Sequence, residues 1–525
     1  MGNLMVSAVV TLVLVLAFVV LAFGRVLLPL AMILPLLLGV VLTTAFASLA
    51  YGSLNMFSMG FAALLFGLGI DFAVHLLNRY QEEAAVDGRA PAEALRLALR
   101  RSGTGILFGA LTTALAFYAF LPARFSAFAQ IGGLSGTGIL LMCLSMLAVV
   151  PAIIALSRTR TDVPVRARRW TLLGRLAAGV LRFRVACVAL AVAAAVALVP
   201  SVMGVRFNRD VSQIYPDDLN SLRWLRVVEK EFGQSPNTLA FRVPDLARLR
   251  SVTAELAARP DVREVKSILS WIPAAAAGND LTAALALSLV PAELSGMYIG
   301  RDGSYLVELV PAVDIWKPEA YARLQRAITD ATGQGPVGMP ALMADIAALI
   351  EADILMICGA CLALSFLLLL VIFRALRPAA VALVPVTLAL WFTLGLMPLL
   401  GLPLNIFSIM AFPLIIGIGI DSGIHLVHRL RDGAATGVPP ATAAADDVMH
   451  TGKAIIITTV TTVIGFGSLL TIRHPGMQSL GATVSLGLLL CLLFTLVLIP
   501  ALGARAALGA SAAVGTPRRR VPPRR

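Results

Sequence analysis

Two stretches decide the fold of this chain: "GLGIDFAVHL", Gly67–Leu76, and "GIGIDSGIHL", Gly417–Leu426. Each lies inside a long apolar run, where an ionised carboxylate is costly in free energy. Of the 525 residues, 59% are hydrophobic and 14% are charged, whereas soluble domains are about half apolar and about a quarter charged. The composition therefore indicates a polytopic membrane protein that places the same acidic motif in two of its spans.

Apolar segments long enough to cross a bilayer as a helix, which takes about 20 residues, recur along the chain. The first of them is not followed by a cleavage site, so we interpret it as a span rather than a signal peptide. A long polar segment separates the sixth span from the seventh. We predict eleven spans, at 5–23, 27–51, 55–77, 103–121, 131–156, 185–204, 352–373, 379–400, 406–427, 455–472 and 480–503.

The distribution of arginine predicts the orientation of these spans. The connections after the third and fifth spans and the tail "TPRRRVPPRR" are basic, which predicts that they are cytoplasmic and that segment 205–350 and the loop Leu121–Ser126 are external. The net charge of +13 is spread over these short connections, so we do not expect a nucleic-acid partner. Residues 170–184 either form an amphipathic helix in the interface or extend the sixth span.

An internal repeat relates the two quoted motifs. Residues Asn55–Arg79 and Asn405–Arg429 share eleven identical positions at an offset of 350, including the aspartate, the histidine and the final arginine. Downstream, the Thr112–Thr113 pair recurs as Thr461–Thr462, with one residue lost from the register. Five successive spans therefore occur twice in the same order, as expected for two parallel halves related by an axis along the membrane normal.

The two repeats also differ in the segments that precede them. Met1 aligns with Glu351, so the first half has no counterpart to the sixth span and the polar segment. We expect an N-terminal portion to be missing or supplied separately, the alternative being a natural protein of five plus six spans. The predicted domains are the first repeat (1–157), a cytoplasmic linker (158–184), a span (185–204), an external domain (205–350), the second repeat (351–504) and a basic cytoplasmic tail (505–525).

The segment 205–350 has the pattern of a small α+β domain. "NTLAFRV" and "SYLVELV" alternate like half-buried strands, and two amphipathic segments follow the helical period. A helix beginning after Gly338, at Pro340, runs without a breaker into the seventh span, so movement of this domain can pass into the membrane. No nucleophile–base motif and no cluster of metal ligands is recognisable here, so neither an enzyme nor a metal site is predicted.

The two embedded aspartates, Asp71 and Asp421, are the strongest functional candidates. A charged residue at mid-helix costs about 2.5–3.5 kcal/mol on insertion scales, and protonation lowers that cost. A buried carboxyl that alternates between its two forms can carry protons, with a satisfied packing contact as the plainer interpretation. The candidate relay partners are Thr112, Thr113, Thr461, Thr462, His75, His425 and Ser422.

Each group of candidate partners has an alternative role. Threonine in a membrane helix often bonds its own backbone rather than a neighbour. His75 and His425, one turn after each aspartate, either form a proton entry path or are interfacial residues. Small residues let membrane helices approach closely, which predicts that four glycines pack helices around the aspartates: Gly67, Gly69, Gly417 and Gly419.

Other motifs exclude further classes of function. The five cysteines all lie in apolar stretches, without the spacing of a disulfide framework or a zinc site. "GLGID" has no preceding strand and no third glycine, so it is not a dinucleotide-binding loop, and the chain contains no nucleotide-binding P-loop motif. We therefore expect no cofactor, with protons as the coupling ion.

The duplicated bundle, the two "G-x-G-I-D" helices and "NRDVSQIYP" after the sixth span together resemble the resistance-nodulation-division (RND) superfamily. The chain is most similar to its lipid-exporter branch, which includes the MMPL-type and hopanoid transporters. The resemblance implies twelve spans and two external domains of ferredoxin-like type, of which the first span and first domain are absent here. It also implies that Asp71 and Asp421 relay protons. The tyrosine that commonly follows each aspartate in MMPL-type members is replaced by Phe72 and Ser422.

The expected fold is thus a polytopic α-helical membrane protein, with a duplicated RND-type bundle of about eleven spans and one ferredoxin-like α+β domain. The expected function is proton-driven export of a lipid or other amphipathic molecule at a bacterial inner membrane. Its partners would be membrane lipids and a hydrophobic substrate, with a homodimer or homotrimer as candidate assemblies. A sterol-sensing-like lipid-binding scaffold of the same fold, and a fragment that is inactive without an N-terminal piece, are the alternatives.

Overall fold

The structure is a computed structural model in which most of the chain is helical. It describes residues 2–23, 27–55, 58, 61–84, 90–156, 171–208, 219–232, 237–273, 280–433 and 440–503. Within these residues it confirms a duplicated helical bundle that carries one small α+β domain. The predicted basic tail at 505–525 and residues 158–170 of the predicted linker lie outside the described residues.

The first repeat consists of five helices joined by short connections. They are α1 (Gly2–Phe23), α2 (Leu27–Ala50), α3 (Phe61–Ala84), α4 (Pro91–Tyr118) and α5 (Ser126–Leu156). Helix α4 begins upstream of the predicted span at 103–121. Proline is favoured in a first helical turn, and the Ala- and Leu-rich segment that follows has high helix propensity.

Three shorter helices follow: α6 (Thr171–Arg182), α7 (Arg184–Ala197) and α8 (Val199–Met203). Phe183 has φ −107° and ψ 29°, which separates α6 from α7, so residues 171–182 form a helix distinct from the sixth span. Helices α7 and α8 make up that span, and none of their side chains is buried. Two hydrogen bonds attach them to the bundle: Trp391 Nε1 donates to the Ala195 carbonyl at 2.9 Å, and Ser201 Oγ donates to the Gly395 carbonyl at 2.6 Å.

The α+β domain contains a three-stranded antiparallel sheet in the order β1-β3-β2. Val337 adds a single antiparallel bridge to Ala240 on the outer side of β1, where a fourth strand would lie. This arrangement is the ferredoxin-like split βαβ topology, with its last strand reduced to one bridge. The elements are α9 (Asn220–Phe232), β1 (Leu239–Val243), α10 (Leu246–Ala257), β2 (Val262–Lys266), α11 (Asp280–Leu287), α12 (Ala292–Tyr298), β3 (Tyr305–Pro311) and α13 (Pro318–Thr332).

The core of this domain follows from the alternation that predicted its strands. Leu239, Phe241 and Val243 of β1 are buried on one face of the sheet, since successive side chains of a strand point to opposite faces. They belong to the same apolar cluster as residues from α10 and α13, including Leu249 and Leu324. Both predicted strands and both predicted amphipathic helices are confirmed.

The second repeat begins with α14 (Met339–Phe373), a single helix of 35 residues. It starts at the α+β domain, where Ala341 is part of the domain core, and continues into the bundle. The sequence prediction that one helix would connect the two is confirmed. The remaining helices are α15 (Leu376–Leu399), α16 (Ala411–Gly433), α17 (Pro440–Gly467) and α18 (Pro475–Leu502).

Eight helices in the described residues are long and apolar enough to cross a membrane. These eight match eight of the eleven predicted spans. The other three predicted spans, at 5–23, 55–77 and 103–121, correspond to helices α1, α3 and α4, which are not among the eight. Helix α6 packs against α17 and α18, with Leu173 and Ala177 buried and Leu176 exposed. One flank of α6 therefore belongs to the bundle.

The same polar contacts recur in the two repeats at the entrance of α3 and α16. The backbone N–H of Asn55 donates to Ser58 Oγ at 2.9 Å, and that of Asn405 donates to Ser408 Oγ at 2.8 Å. Asn55 also bonds Gln130 of α5, and Asn405 bonds Ser479 of α18 at 3.0 Å. The repeat found in the sequence therefore extends to the hydrogen bonds that set the start of each acidic helix.

Candidate functional site

The two acidic helices cross helices of the opposite repeat. Helix α3 packs against α17, and α16 packs against α4. A Cβ at Gly465 would lie 3.1 Å from the Gly67 Cα, and a Cβ at Gly417 would lie 2.7 Å from the Ala116 Cβ. Gly465 and Ala116 occupy matching positions of the two repeats. Small residues thus allow both crossings, which hold Asp71 and Asp421 at the boundary between the halves.

The second glycine of each motif faces a helix of its own repeat. A Cβ at Gly69 would lie 2.6 Å from the Met142 Cγ of α5, and one at Gly419 would lie 2.7 Å from the Cys491 Sγ of α18. All four glycines selected from the sequence therefore lie at close helix–helix approaches. Together they fix the acidic helices between one helix of the same repeat and one of the other.

Asp71 is hydrogen bonded to the opposite repeat. Thr461 Oγ1 lies 3.2 Å from Asp71 Oδ1, and Thr462 Oγ1 lies 3.0 Å from Asp71 Oδ2. Both hydroxyls are also within hydrogen-bonding distance of the Thr458 carbonyl on their own helix, at 2.7 and 3.0 Å. A hydroxyl can turn between these acceptors, so the pair can donate to an ionised Asp71 or accept from a protonated one.

Asp421 has a different environment. Its Oδ1 is buried and has no hydrogen-bond partner within the described residues. A Cβ at Gly109 would lie 2.0 Å from that oxygen, so the carboxylate occupies space that the glycine leaves open. The two threonines expected beside it bond backbone instead: Thr112 donates to the carbonyls of Phe108 and Gly109 at 2.8 Å, and Thr113 contacts the Gly417 carbonyl at 3.0 Å.

The two halves of the site are therefore unequal. Asp71 is held by two hydroxyls, whereas the side chain of Asp421 has His425 Nε2 as its nearest basic group, at 3.5 Å. The two carboxyl groups are close enough to interact electrostatically, and Cys143 of α5 is close enough to interact with Asp421. Asp71 is thus hydrogen bonded by its neighbours, whereas Asp421 Oδ1 has no hydrogen-bond partner in the described part of the chain.

The two histidines lie together at the boundary between the repeats. The rings of His75 and His425 stack with centroids 4.1 Å apart and planes inclined by 17°. The side chains of His425 and Asp421 keep 15% and 20% of their surface exposed, but His425 Nε2 and Asp421 Oδ1 are themselves buried. His75 is buried and faces the histidine of the other repeat rather than the periphery of the bundle.

The same residues form a set of potential metal donors. Ligand atoms of His75, Asp421 and His425 lie within 4.8 Å of one another. Two imidazoles and a carboxylate suit borderline ions such as Zn²⁺. The two imidazole rings are stacked, with their planes inclined by 17°.

Ser422 and Phe72 do not join the hydrogen-bonded part of the site, and two glycines that line the site were not predicted from the sequence. Ser422 is half-buried and makes no hydrogen bond in the described part of the chain, while Phe72 is buried in the bundle core. Gly105 and Gly109 of α4 were not selected, yet they face His425 and Asp421. Their spacing of four residues is the small-residue signal of a close helix crossing, so it could have identified them.

Comparison with known proteins places this geometry in a family. A model of the MMPL family matches residues 1–180 and 314–525. The hopanoid transporter HpnN of Rhodopseudomonas palustris is 22% identical over 87% of this chain and 62% of its own length. The probable transport protein MmpL12 of Mycobacterium tuberculosis is 24% identical over 41% of this chain and 20% of its own length.

The fold is also present among solved structures. The translocon-associated membrane protein SecDF of Thermus thermophilus superposes with a TM-score of 0.61, at 17% identity, over 95% of this chain and 61% of SecDF. The chain spans less than two thirds of the length of HpnN and of SecDF. Because the MMPL model covers both helical repeats and the acidic helix of each, the chain belongs to the MMPL family.

Proposed function

We propose that this protein is a transporter of the RND superfamily that exports a lipid or another amphipathic molecule from a bacterial inner membrane, driven by the proton-motive force. The observation that carries the proposal is the pair Asp71 and Asp421. Two carboxyl groups, one from each repeat, lie within electrostatic reach of each other inside a helical bundle, and they have unequal partners.

The energetics favour a working pair over a packing contact. Each ionised carboxylate at mid-helix costs about 2.5–3.5 kcal/mol on insertion scales. Two like charges at close range in a low dielectric do not both ionise readily, so the pair retains a proton and exchanges it as a unit. Each proton that crosses a potential of about 100 mV supplies roughly 2.3 kcal/mol for moving the substrate.

A route for the proton follows the acidic helices toward the basic side of the bundle. His75 and Arg79 follow Asp71 at intervals of one helical turn on the same face of α3. Arg79 is paired with Glu82 and Glu83 at 2.8 Å, and Lys453 of α17 lies close enough to Glu82 to interact with it. The stacked histidines thus lie between the carboxyl pair and a charged layer that, by the arginine asymmetry, faces the cytoplasm.

The substrate class comes from the relatives. HpnN is named as a hopanoid transporter, and MmpL12 as a probable transport protein. The sixth span, made of α7 and α8, buries none of its side chains and presents an apolar surface at the edge of the bundle. Such a surface suits cargo that travels within the membrane, so a lipid is the expected cargo.

Reconstitution into proteoliposomes tests the proposal. The full chain, loaded with a fluorescent hopanoid or a labelled phospholipid, should release lipid to an acceptor when a pH gradient is imposed. Addition of a protonophore should return the release to that of protein-free vesicles.

The alternative function predicts a different pattern. A non-transporting lipid-binding scaffold would bind the labelled lipid and show no response to the gradient. Binding without gradient-dependent release would therefore reject the export proposal, while release that persists with the protonophore present would reject proton coupling.

The unequal threonine pairs give a matched comparison. Thr462→Val keeps the shape of the side chain but removes a hydrogen bond to Asp71, a loss worth about 1 kcal/mol, or roughly fivefold in rate. Thr113→Val at the equivalent position removes contacts with backbone carbonyls alone and should change the rate by less than about twofold. Initial rates of gradient-driven lipid release in the two variants measure this difference; equal effects would contradict the asymmetry.

A further inference from the structure

Helix α14 carries a buried acid in addition to the two relay carboxyls on α3 and α16. Asp353 is 2% exposed, although it lies on a helix that begins at the α+β domain. At about 1.5 Å per residue, the 35 residues of α14 span roughly 50 Å. Because α14 is one continuous helix, movement of the α+β domain can displace the parts of the bundle that α14 contacts.

Asp353 accepts hydrogen bonds from the connection between α4 and α5. Its Oδ2 accepts from the backbone N–H of Arg124 at 2.8 Å and of Phe125 at 3.4 Å, and its Oδ1 accepts from Arg124 Nε at 2.9 Å. These amides stand at the N-terminal end of α5, where the helix dipole favours a negative charge. A carboxylate of the second repeat thus caps a helix of the first.

A second contact joins α14 to α4 deeper in the bundle. Cys361, about two turns further along α14, places its Sγ 3.1 Å from the Ala116 carbonyl of α4. Ala116 is the residue against which Gly417 packs at the crossing with the acidic helix α16. Helix α14 therefore contacts α4, whose Gly105 faces His425 and whose Gly109 faces Asp421.

The sequence shows that the pairing of an acid with this arginine is not repeated in the other half of the chain. The position equivalent to Asp353 in the first repeat is Asn3, while the position equivalent to Arg124 in the second repeat is Arg473. The arginine is thus repeated and the acid is not. A general requirement for helix packing would place the acid in both repeats.

We propose that Asp353 is a positioning residue, which couples movement of the α+β domain to the first repeat by clamping α14 to the N-terminal end of α5. This inference rests on the proposed function. Without the clamp, the carboxyl pair still exchanges protons, but the exchange no longer drives the domain, so proton flow and lipid release separate.

The test uses the full chain in proteoliposomes that report lipid release and internal pH together. Asp353→Asn, which installs the residue of the other repeat, should lower lipid release about tenfold while proton flux falls by less than about threefold. Arg124→Gln leaves the two backbone donors in place and should give the same separation with a smaller loss. Glu319→Gln, in the exposed pair with Arg206, is the control and should change neither quantity.

Hydrogen exchange provides a readout that does not depend on transport. In Asp353→Asn the amides of the Leu121–Ser126 connection should exchange faster than in the unmodified chain. Unchanged exchange there would overturn the clamp, and an equal fall of lipid release and proton flux would overturn the coupling role.

The two levels of proposal fail in different ways. If the unmodified chain releases no lipid under a pH gradient, the proposed function fails and the coupling role fails with it. Faster exchange in Asp353→Asn would in that case still establish the clamp as a structural contact. If the unmodified chain is active and the variant keeps a normal ratio of lipid to protons, the coupling proposal alone is rejected.

Discussion

Asp71→Asn and Asp421→Asn are each expected to reduce gradient-driven lipid release to the level of protein-free vesicles. Asparagine keeps the shape of the side chain and its ability to hydrogen bond, but it cannot titrate. Because each repeat supplies one acid to a shared site, the loss of either should stop proton exchange. We expect a fall of at least about a hundredfold, typical of removing a group that acts in proton transfer.

The environment of Asp71 predicts that the Asp71→Asn variant folds normally. In Asp71→Asn the new amide would keep partners in Thr461 and Thr462, whose hydroxyls lie within 3.2 Å of the native carboxyl. Expression and lipid binding should therefore be close to those of the unmodified chain, which can be checked by size-exclusion chromatography and equilibrium binding of the labelled lipid. Near-normal release by the double variant would show that the pair serves packing rather than transport.

Gly109→Ala is expected to inactivate the transporter while leaving the fold intact. The added Cβ would lie 2.0 Å from Asp421 Oδ1, so the carboxylate must move by about 1 Å or more to relieve the contact. A displacement of this size at a reacting group costs roughly a hundredfold in rate. The obstructing atoms are the end of a side chain, so the helix itself need not shift.

Gly103→Ala on the same helix is the matched control. A Cβ at Gly103 meets nothing within 4 Å, and both substitutions gain the same helix propensity of about 1 kcal/mol. The control should therefore release lipid at the normal rate and be slightly more stable to heat. Equal activity of the two alanine variants, with both proteins folded, would show that the position of the Asp421 carboxylate is not critical.

The architecture was predictable because it depends on patterns that a sequence displays directly. The length of apolar runs predicted the spans, alternation predicted β1 and β3, and the offset of 350 between the two motifs predicted the duplicated bundle. The continuity of α14 followed from the position of Pro340 and the absence of a breaker after it. Each of these signals is local or repeats in register.

The arrangement around the acids was less accessible to sequence reasoning. The repeat pointed to both threonine pairs equally, but Thr461 and Thr462 contact Asp71 while Thr112 and Thr113 bond backbone. A symmetric sequence pattern cannot show which half is the tighter one. Contacts such as His75 with His425 and Arg124 with Asp353 join residues hundreds of positions apart and depend on how helices rotate against each other.

The helices α7 and α8 have a practical consequence for work with the purified protein. They bury no side chain, and they are fastened to the bundle on one side by Trp391 and Ser201. Their apolar surface is therefore completed by whatever amphiphile surrounds the protein. At this edge, lipid or detergent takes the place of protein packing. We therefore expect the thickness and chain length of the micelle or nanodisc to affect how long the isolated protein keeps its sixth span in place.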